Sequence, residues 1–193
     1  MAGRGYSIFD TTIGRCGIAW GPAGIVGVQL PEAREIQTRG RLLRQYPDAR
    51  DQRPPLEVEL AVEGIGALLR GEPCDLSDVT LDMGGMPAFN VRVYAATRAI
   101  PRGETRTYGE IARQLGASGA VHSVAQAIAR NPFVILVPCH RVLEAGSYAD
   151  KMSANGGAIS KRRLLSIEGA HCGVVSKTLF DVLLPVAPLR PQG

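Results

Sequence analysis

Val137-Pro138-Cys139-His140-Arg141-Val142 sets a thiol directly beside an imidazole. The apolar run Phe133 to Val137 leads into it and reads as a buried extended segment that delivers Cys139. Upstream, residues 107 to 130 read as two helices joined by a turn. Thr107 and Glu110 have capping-box spacing. Tyr108, Ile111, Ala112 and Leu115 give the first helix an apolar face, and Gly116 ends it. A turn through Gly119 leads to a second helix over Ala120 to Arg130, with Val121, Val124, Ala125 and Ile128 as its apolar stripe. The opposite face carries His122, Ser123, Gln126, Ala129 and Arg130, polar and small enough to approach a nucleic-acid backbone. Asn131-Pro132 stops the helix, because the residue before proline avoids the α region. A reactive cysteine beside a helix-turn-helix points to chemistry on DNA.

The chain ahead of this unit reads differently. Tyr6 to Asp10, Cys16 to Trp20 and Ile25 to Leu30 are three strands, separated by turns at Thr11–Gly14 and Gly21–Gly24. Glu32 to Tyr46 changes period, and Ile36, Leu42, Leu43 and Tyr46 among arginines predict a surface helix. Pro47 to Pro55 reads as a polar loop. Leu56, Leu60, Ile65, Leu68 and Leu69 predict a second amphipathic helix, stopped by Gly71 and Pro73. Leu76 to Leu81 is a candidate last strand, and Gly84-Gly85-Met86-Pro87 a linker. Phe89, Val93, Ala96 and Ile100 then follow helical spacing. Near the end, Ile159 to Ile167 predicts a final helix beyond a glycine-rich loop at 146–157.

At 193 residues the chain fits one domain or two small ones with a real core. The net charge of +4 suits a polyanionic partner but is a weak signal alone. Cys16, Cys74, Cys139 and Cys172 are scattered, with neither CxxC nor paired metal spacing. That predicts reduced thiols, with no disulfide framework and no zinc site. The N-terminus lacks a signal pattern and no apolar run approaches a membrane span, so the expectation is a cytoplasmic protein.

A free thiol has a pKa of roughly 8.5 and reacts as the thiolate. Neighbours in an extended chain point to opposite sides, so adjacency alone does not join Cys139 to His140. A turn at Pro138-Cys139, or a bridging water, would connect them. A carboxylate is needed to orient the imidazole, and Glu168 is the downstream candidate. Taken alone, a Cys-His pair is more often structural, with the cysteine a small hydrophobe.

The whole string from Asn131-Pro132 through Pro138-Cys139-His140-Arg141-Val142 resembles the active-site signature of the O6-alkylguanine-DNA alkyltransferases, also called methylated-DNA–protein-cysteine methyltransferases. Residues 100–105, followed by 107–112, are similar to the start of that family's helix-turn-helix. Gly156-Gly157, Lys161, Leu164-Leu165 and Glu168-Gly169 resemble its closing segment, and Asp10 to Gly14 the start of its N-terminal domain. The similarity spans residues 6 to 170.

The resemblance implies an α+β protein. An RNase H-like N-terminal α/β domain would occupy residues 1–86. A helical domain with a winged-helix-like helix-turn-helix would occupy 87–172, and a tail 173–193. It implies DNA repair by stoichiometric transfer of the alkyl group from O6-alkylguanine, and from O4-alkylthymine, to Cys139. The damaged base would be flipped into a pocket, with double-stranded DNA as the partner, no cofactor, no metal, and a monomer doing the work. His140 would accept the thiol proton through a water, and Glu168 would orient His140. Asn131 would hold the loop. Tyr108 would meet the rotated phosphate and protonate the leaving base. Val142, Asn155, Gly156 and Gly157 would line the pocket, and Thr107, His122, Ser123, Gln126 and Arg130 would face DNA. Counting back from Cys139, His122 occupies the position where the family inserts an arginine into the base stack. The competing reading is a protein that binds the lesion and flags it; alkyltransferase-like proteins of that kind lack the cysteine, and this chain keeps it. A cysteine hydrolase and a plain transcription factor account for less of the string.

Overall fold

A computed structural model describes residues 3–145 and 161–170. Strands β1 (Gly5–Thr11), β2 (Gly14–Gly21) and β3 (Gly24–Gln29) form the meander, with β1–β2 and β2–β3 antiparallel. Strand β4 (Arg50–Asp51) adds to the free edge of β1 in parallel, giving the order β3-β2-β1-β4. The polar loop expected over Pro47 to Pro55 therefore contains a strand. Two exposed residues carry no alternation to betray it; what recruits them is the backbone of Arg4 and Tyr6, whose carbonyls accept from Arg50 and Gln52.

Alternation along β2 sends Cys16, Ile18 and Trp20 to the main core and Ala19 to a smaller one. A bulge opposite Ala19 and Trp20 lets Val26 and Gly27 both face that smaller side. Helix α1 (Glu35–Gln45) covers it with Thr38 and Leu42, joined by Tyr46, whose hydroxyl donates to the Val26 carbonyl at 2.6 Å. Gly27 is required here, since a Cβ would meet the Tyr46 ring and hydroxyl. Gly27→Ala is expected to lower stability by about 1–3 kcal/mol through overpacking, measured by denaturant unfolding. Ile36, expected on the buried face, is instead 71% exposed: it lies about 200° around the helix from Thr38 at 3.6 residues per turn.

Helix α2 (Leu56–Leu69) packs on the opposite face of the sheet through Val58, Ala61, Ile65, Leu68 and Leu69. Leu56 and Leu60 do not join them and are exposed, on the far side from Val58. The strand expected over Leu76 to Leu81 is absent. Only Leu81 makes a bridge, to Ile25, while Arg98 Nη2 takes the carbonyls of Leu76, Ser77 and Val79 that a sheet neighbour would need.

Helix α3 (Ala88–Arg98) follows the linker. Strand β5 (Arg106–Thr107) leads into α4 (Tyr108–Gln114), where Thr107 and Glu110 form the capping box and Gly116 takes φ +70° beyond the end. A single 3-10 turn (Ser118–Ala120) precedes α5 (Val121–Ala129). The buried residues of α5 are Val124, Ala127 and Ile128. Val121 is exposed, so the expected stripe is displaced toward Ala127. Tyr94 of α3 pins α5 by donating to the Ala127 carbonyl, and its ring meets Phe133 edge-on at 6.2 Å. Strand β6 (Val142–Leu143) pairs in parallel with β5, and α6 (Lys161–Glu168) returns against α2.

The two halves share one continuous core. The segment before the cysteine is where they meet: Val28 N donates to the Pro132 carbonyl at 2.8 Å, and Val28 bridges Phe133. The edge of β3 is thus covered by the loop that carries Cys139. The glycine-rich loop at 146–157, Cys172 and the tail at 173–193 lie outside the described residues.

Candidate active site

Phe133 to Val137 is buried as expected but not extended. Val137 N donates to the Phe133 carbonyl at 2.7 Å, closing a tight turn in which Ile135 takes φ +74°. A β-branched residue rarely adopts that conformation, so the turn stores strain. Surrounding bonds hold it. Asn131 Nδ2 donates to the Val137 carbonyl and Asn131 Oδ1 accepts from Phe133 N, both at 2.9 Å. Asn131 is therefore the brace of this loop, not a helix cap. Pro138 then releases the chain into one 3-10 turn, Cys139–Arg141, so Cys139 and His140 are not opposed as strand neighbours would be.

Cys139 and His140 are fully buried. His140 Nε2 lies 2.8 Å from Glu168 Oε1. Arg141 grips the same carboxylate in bidentate fashion, Nε to Oε2 at 2.9 Å and Nη2 to Oε1 at 2.8 Å, and its Nη1 donates to the Ile100 carbonyl. Burial pushes the Glu168 carboxyl up, but hydrogen bonds from His140 and Arg141 outweigh it and hold it at about 2. Burial holds the His140 imidazole below its usual value; the Glu168 contact opposes this without overcoming it. The Arg141 guanidinium and the Lys161 ammonium add to the effect of burial. An ionised carboxylate only accepts, so Nε2 carries the proton and Nδ1 keeps its lone pair. Nδ1 is buried with no hydrogen-bond partner among the described residues. The arrangement supplies an oriented, neutral base one residue from a thiol.

Lys161 is a second buried cation, 2% exposed. Its Nζ donates to the Val142 carbonyl at 2.8 Å and to Tyr108 Oη at 3.2 Å, and it lies 5.5 Å from the Tyr108 ring centroid. The roles of Arg141 and Lys161 were not read from the sequence. For Lys161 a signal existed: with Leu164, Leu165 and Glu168 it follows i, i+3, i+4, i+7 spacing, one face of α6. For Arg141 there was none, since charged residues are exposed by default.

The other expected residues fall in three places. Thr107 spends its hydroxyl on the α4 cap, accepting from Glu110 N at 3.1 Å. His122, Ser123 and Gln126 on α5 and Arg130 at its C-cap are exposed, with His122 Nε2 and Gln126 Nε2 2.9 Å apart. Val142 is buried beside the site, while Asn155, Gly156 and Gly157 lie outside the described residues. Cys16, by contrast, has its thiol pushed up to about 12 by burial in the sheet, an inert cysteine. No group of three or more His, Cys, Asp or Glu among the described residues could hold a metal.

A buried cysteine next in sequence to a carboxylate-oriented imidazole, beyond two short helices joined by a turn, is the arrangement expected of a nucleophilic thiol beside a helix-turn-helix. Comparison with known proteins narrows this. The family described as 6-O-methylguanine DNA methyltransferase, DNA binding domain, matches residues 88–170. A methylated-DNA–protein-cysteine methyltransferase from Mycolicibacterium paratuberculosis is 45% identical over 122 residues, 63% of this chain and 70% of that one. The crystal structure of the Mycobacterium tuberculosis O6-methylguanine methyltransferase superposes with a TM-score of 0.67 at 34% identity, covering 86% of this chain and 92% of that one. A structure of the M. tuberculosis OGT in complex with DNA gives 0.64 at 33% identity, covering 84% and 91%. The chain belongs to the methylated-DNA–protein-cysteine methyltransferase family.

Proposed function

We propose that this protein repairs DNA by moving the alkyl group of O6-alkylguanine, and of O4-alkylthymine, onto Cys139. The observation that carries the reading is the buried chain Arg141–Glu168–His140, ending at an Nδ1 whose lone pair is unspent, beside Cys139. The thiol proton passes to Nδ1 through a water, and Glu168 stabilises the imidazolium that forms. The thiolate attacks the alkyl carbon, an S–C bond forms and the C–O6 bond breaks. Tyr108 protonates the departing base while the Lys161 ammonium steadies the phenolate. The product thioether has no route back to a thiol, so each molecule acts once. Apart from that water, the steps use side chains of this one chain, and in this reading a monomer acts without a cofactor.

Full burial of Cys139 supports base flipping, because a stacked guanine cannot reach it. The exposed residues His122, Ser123 and Gln126 of α5 and Arg130 at its C-cap, with Thr107, form the DNA-facing surface in this reading. The relative solved with DNA supports that partner. Val142 with Asn155, Gly156 and Gly157 form the base pocket. His122 serves as the wedge that fills the vacated stack. His122→Ala is then expected to slow repair of duplex DNA about 10-fold or more while leaving reaction with the free base O6-benzylguanine unchanged, since the lost stacking is worth about 1–3 kcal/mol. His122→Arg should preserve or raise duplex repair. Equal rates for all three on duplex would move the wedge elsewhere.

The order β3-β2-β1-β4 with β4 parallel supports an RNase H-like reading of residues 1–86. The β5–β6 pair around α4 and α5 supports a winged-helix-like reading of 87–172, followed by a tail at 173–193. No helix among the described residues is long and apolar enough to cross a membrane. The scattered cysteines, without paired spacing, support a reducing, cytoplasmic setting. The reading is tested on the DNA: a duplex carrying O6-methylguanine should lose its methyl group on incubation with the protein. Cys139→Ala should bind the duplex and leave the lesion intact; binding without loss by the unaltered protein would favour the lesion-flagging alternative.

A further inference from the structure

A cavity of about 600 Å³ lies behind the loop that carries Cys139. Its walls are the segment at 73–77, the end of α3 with the turn that follows, and the back of the loop through Ile135, Leu136 and Pro138. Cys139, His140 and Val142 do not line it; of the site residues it meets only Arg141. Its volume lies within the range of about 300–1,000 Å³ typical of small-molecule sites.

Three arginines and one carboxylate, Asp75, line the cavity. Arg141 is matched by Glu168, and Arg98 feels Asp75 and Asp78. Arg102 has no carboxylate partner among the described residues. Its Nη2 rests on the carbonyls of Gly71 at 2.6 Å and Ile167 at 3.4 Å, and its Nε and Nη1 make no hydrogen bond to the described residues. A planar guanidinium with unused N–H groups pairs best with a carboxylate. The lining is mixed: Leu68, Ile100 and Leu136 supply apolar wall, and Asp75, Ser77 and Arg98 polar wall.

We propose that this cavity binds a small amphipathic carboxylate, with its carboxyl group on Arg102 and its apolar body against Leu68, Ile100 and Leu136. The ligand would touch Pro138 and Arg141, the back of the reactive loop and the residue that holds Glu168, which couples its binding to the state of the site.

Calorimetric titration with 4-phenylbutyrate tests this, with the neutral 4-phenylbutyramide as control. Saturable binding is expected with a Kd on the order of 1 mM. The amide, and the acid on Arg102→Met, should bind about tenfold more weakly for want of the charged hydrogen bonds. Cys74 lines the same cavity, so bound acid should slow its alkylation by N-ethylmaleimide, read by peptide mass. Cys74→Phe, which sets a ring in the space, should block binding and keep methyl transfer; it serves if Arg102→Met does not fold. Equal affinity for acid and amide, no saturation at about ten times the expected Kd, or unchanged binding in both variants would overturn the proposal. Binding of inorganic phosphate with no preference for the phenyl-bearing acid would overturn it too, leaving only an anion site.

Discussion

Arg141→Met is expected to cost about 3–5 kcal/mol of stability, because it strands the buried Glu168 carboxylate without its guanidinium. The side chain of Glu168 is fully buried and that of Arg141 nearly so, and both oxygens of the carboxylate are engaged by Arg141. Methionine fills a similar volume, so the loss reports the unpaired charge more than a void. The measurement is urea unfolding, read as a fall in the midpoint at constant slope. The double variant Arg141→Met, Glu168→Leu should recover much of that stability, since the buried charge is gone. It should not recover methyl transfer, because His140 then has no carboxylate to orient it. If the single variant were as stable as the parent, Arg141 would be a bystander and the account of the neutral imidazole would fail with it.

His140→Gln is expected to slow transfer about 10²–10⁴-fold, the usual worth of a general base, with affinity for lesion DNA retained. It should also change how stability depends on pH. His140 has a folded value held below 6.5, so the stability conferred by burying it neutral is complete above that pH and drains away as the pH falls below it. Glu168 has a folded value of about 2 against 4.5 for the free group, so its contribution is complete above pH 4.5 and is lost between there and about 2. The melting temperature of the parent should therefore begin to fall just below pH 6.5, and His140→Gln should stay flat until the carboxylate range. The transfer rate of the folded parent should hold through that upper window and fall only as the pH drops through the lowered folded value of His140, because a protonated Nδ1 accepts nothing. A parent melting curve flat from pH 7 to 5 would contradict the assignment.

Local signals were legible in the sequence and long-range ones were not. The meander showed because turn residues and alternation lie within a few positions of each other. The Thr107–Glu110 capping box showed for the same reason. Strand β4 did not, since pairing between Arg50 and Gly5 leaves no mark in the periodicity of either segment. Nor did the docking of Pro132 and Phe133 on the edge of β3, which turns the expected extended run into a braced, strained loop. At the site, Cys139 and His140 stood out by adjacency. Glu168 entered through its place in the closing segment, 28 residues away from His140. Arg141 and Lys161 were visible as letters but not as roles. Their burial is decided by which face of the 3-10 turn and of α6 the fold turns inward, and that is a tertiary property.

The central claim is that Cys139 itself becomes the permanent carrier of the alkyl group. Intact-mass measurement after incubation with excess O6-methylguanine duplex tests it most directly, followed by peptide mapping. The expected result is the addition of one methyl group per chain, located on Cys139, with methyl-free guanine appearing in equal amount and the reaction then stopping. Continued turnover beyond one methyl per chain, or a methyl group carried on Cys16, Cys74 or Cys172, would contradict it.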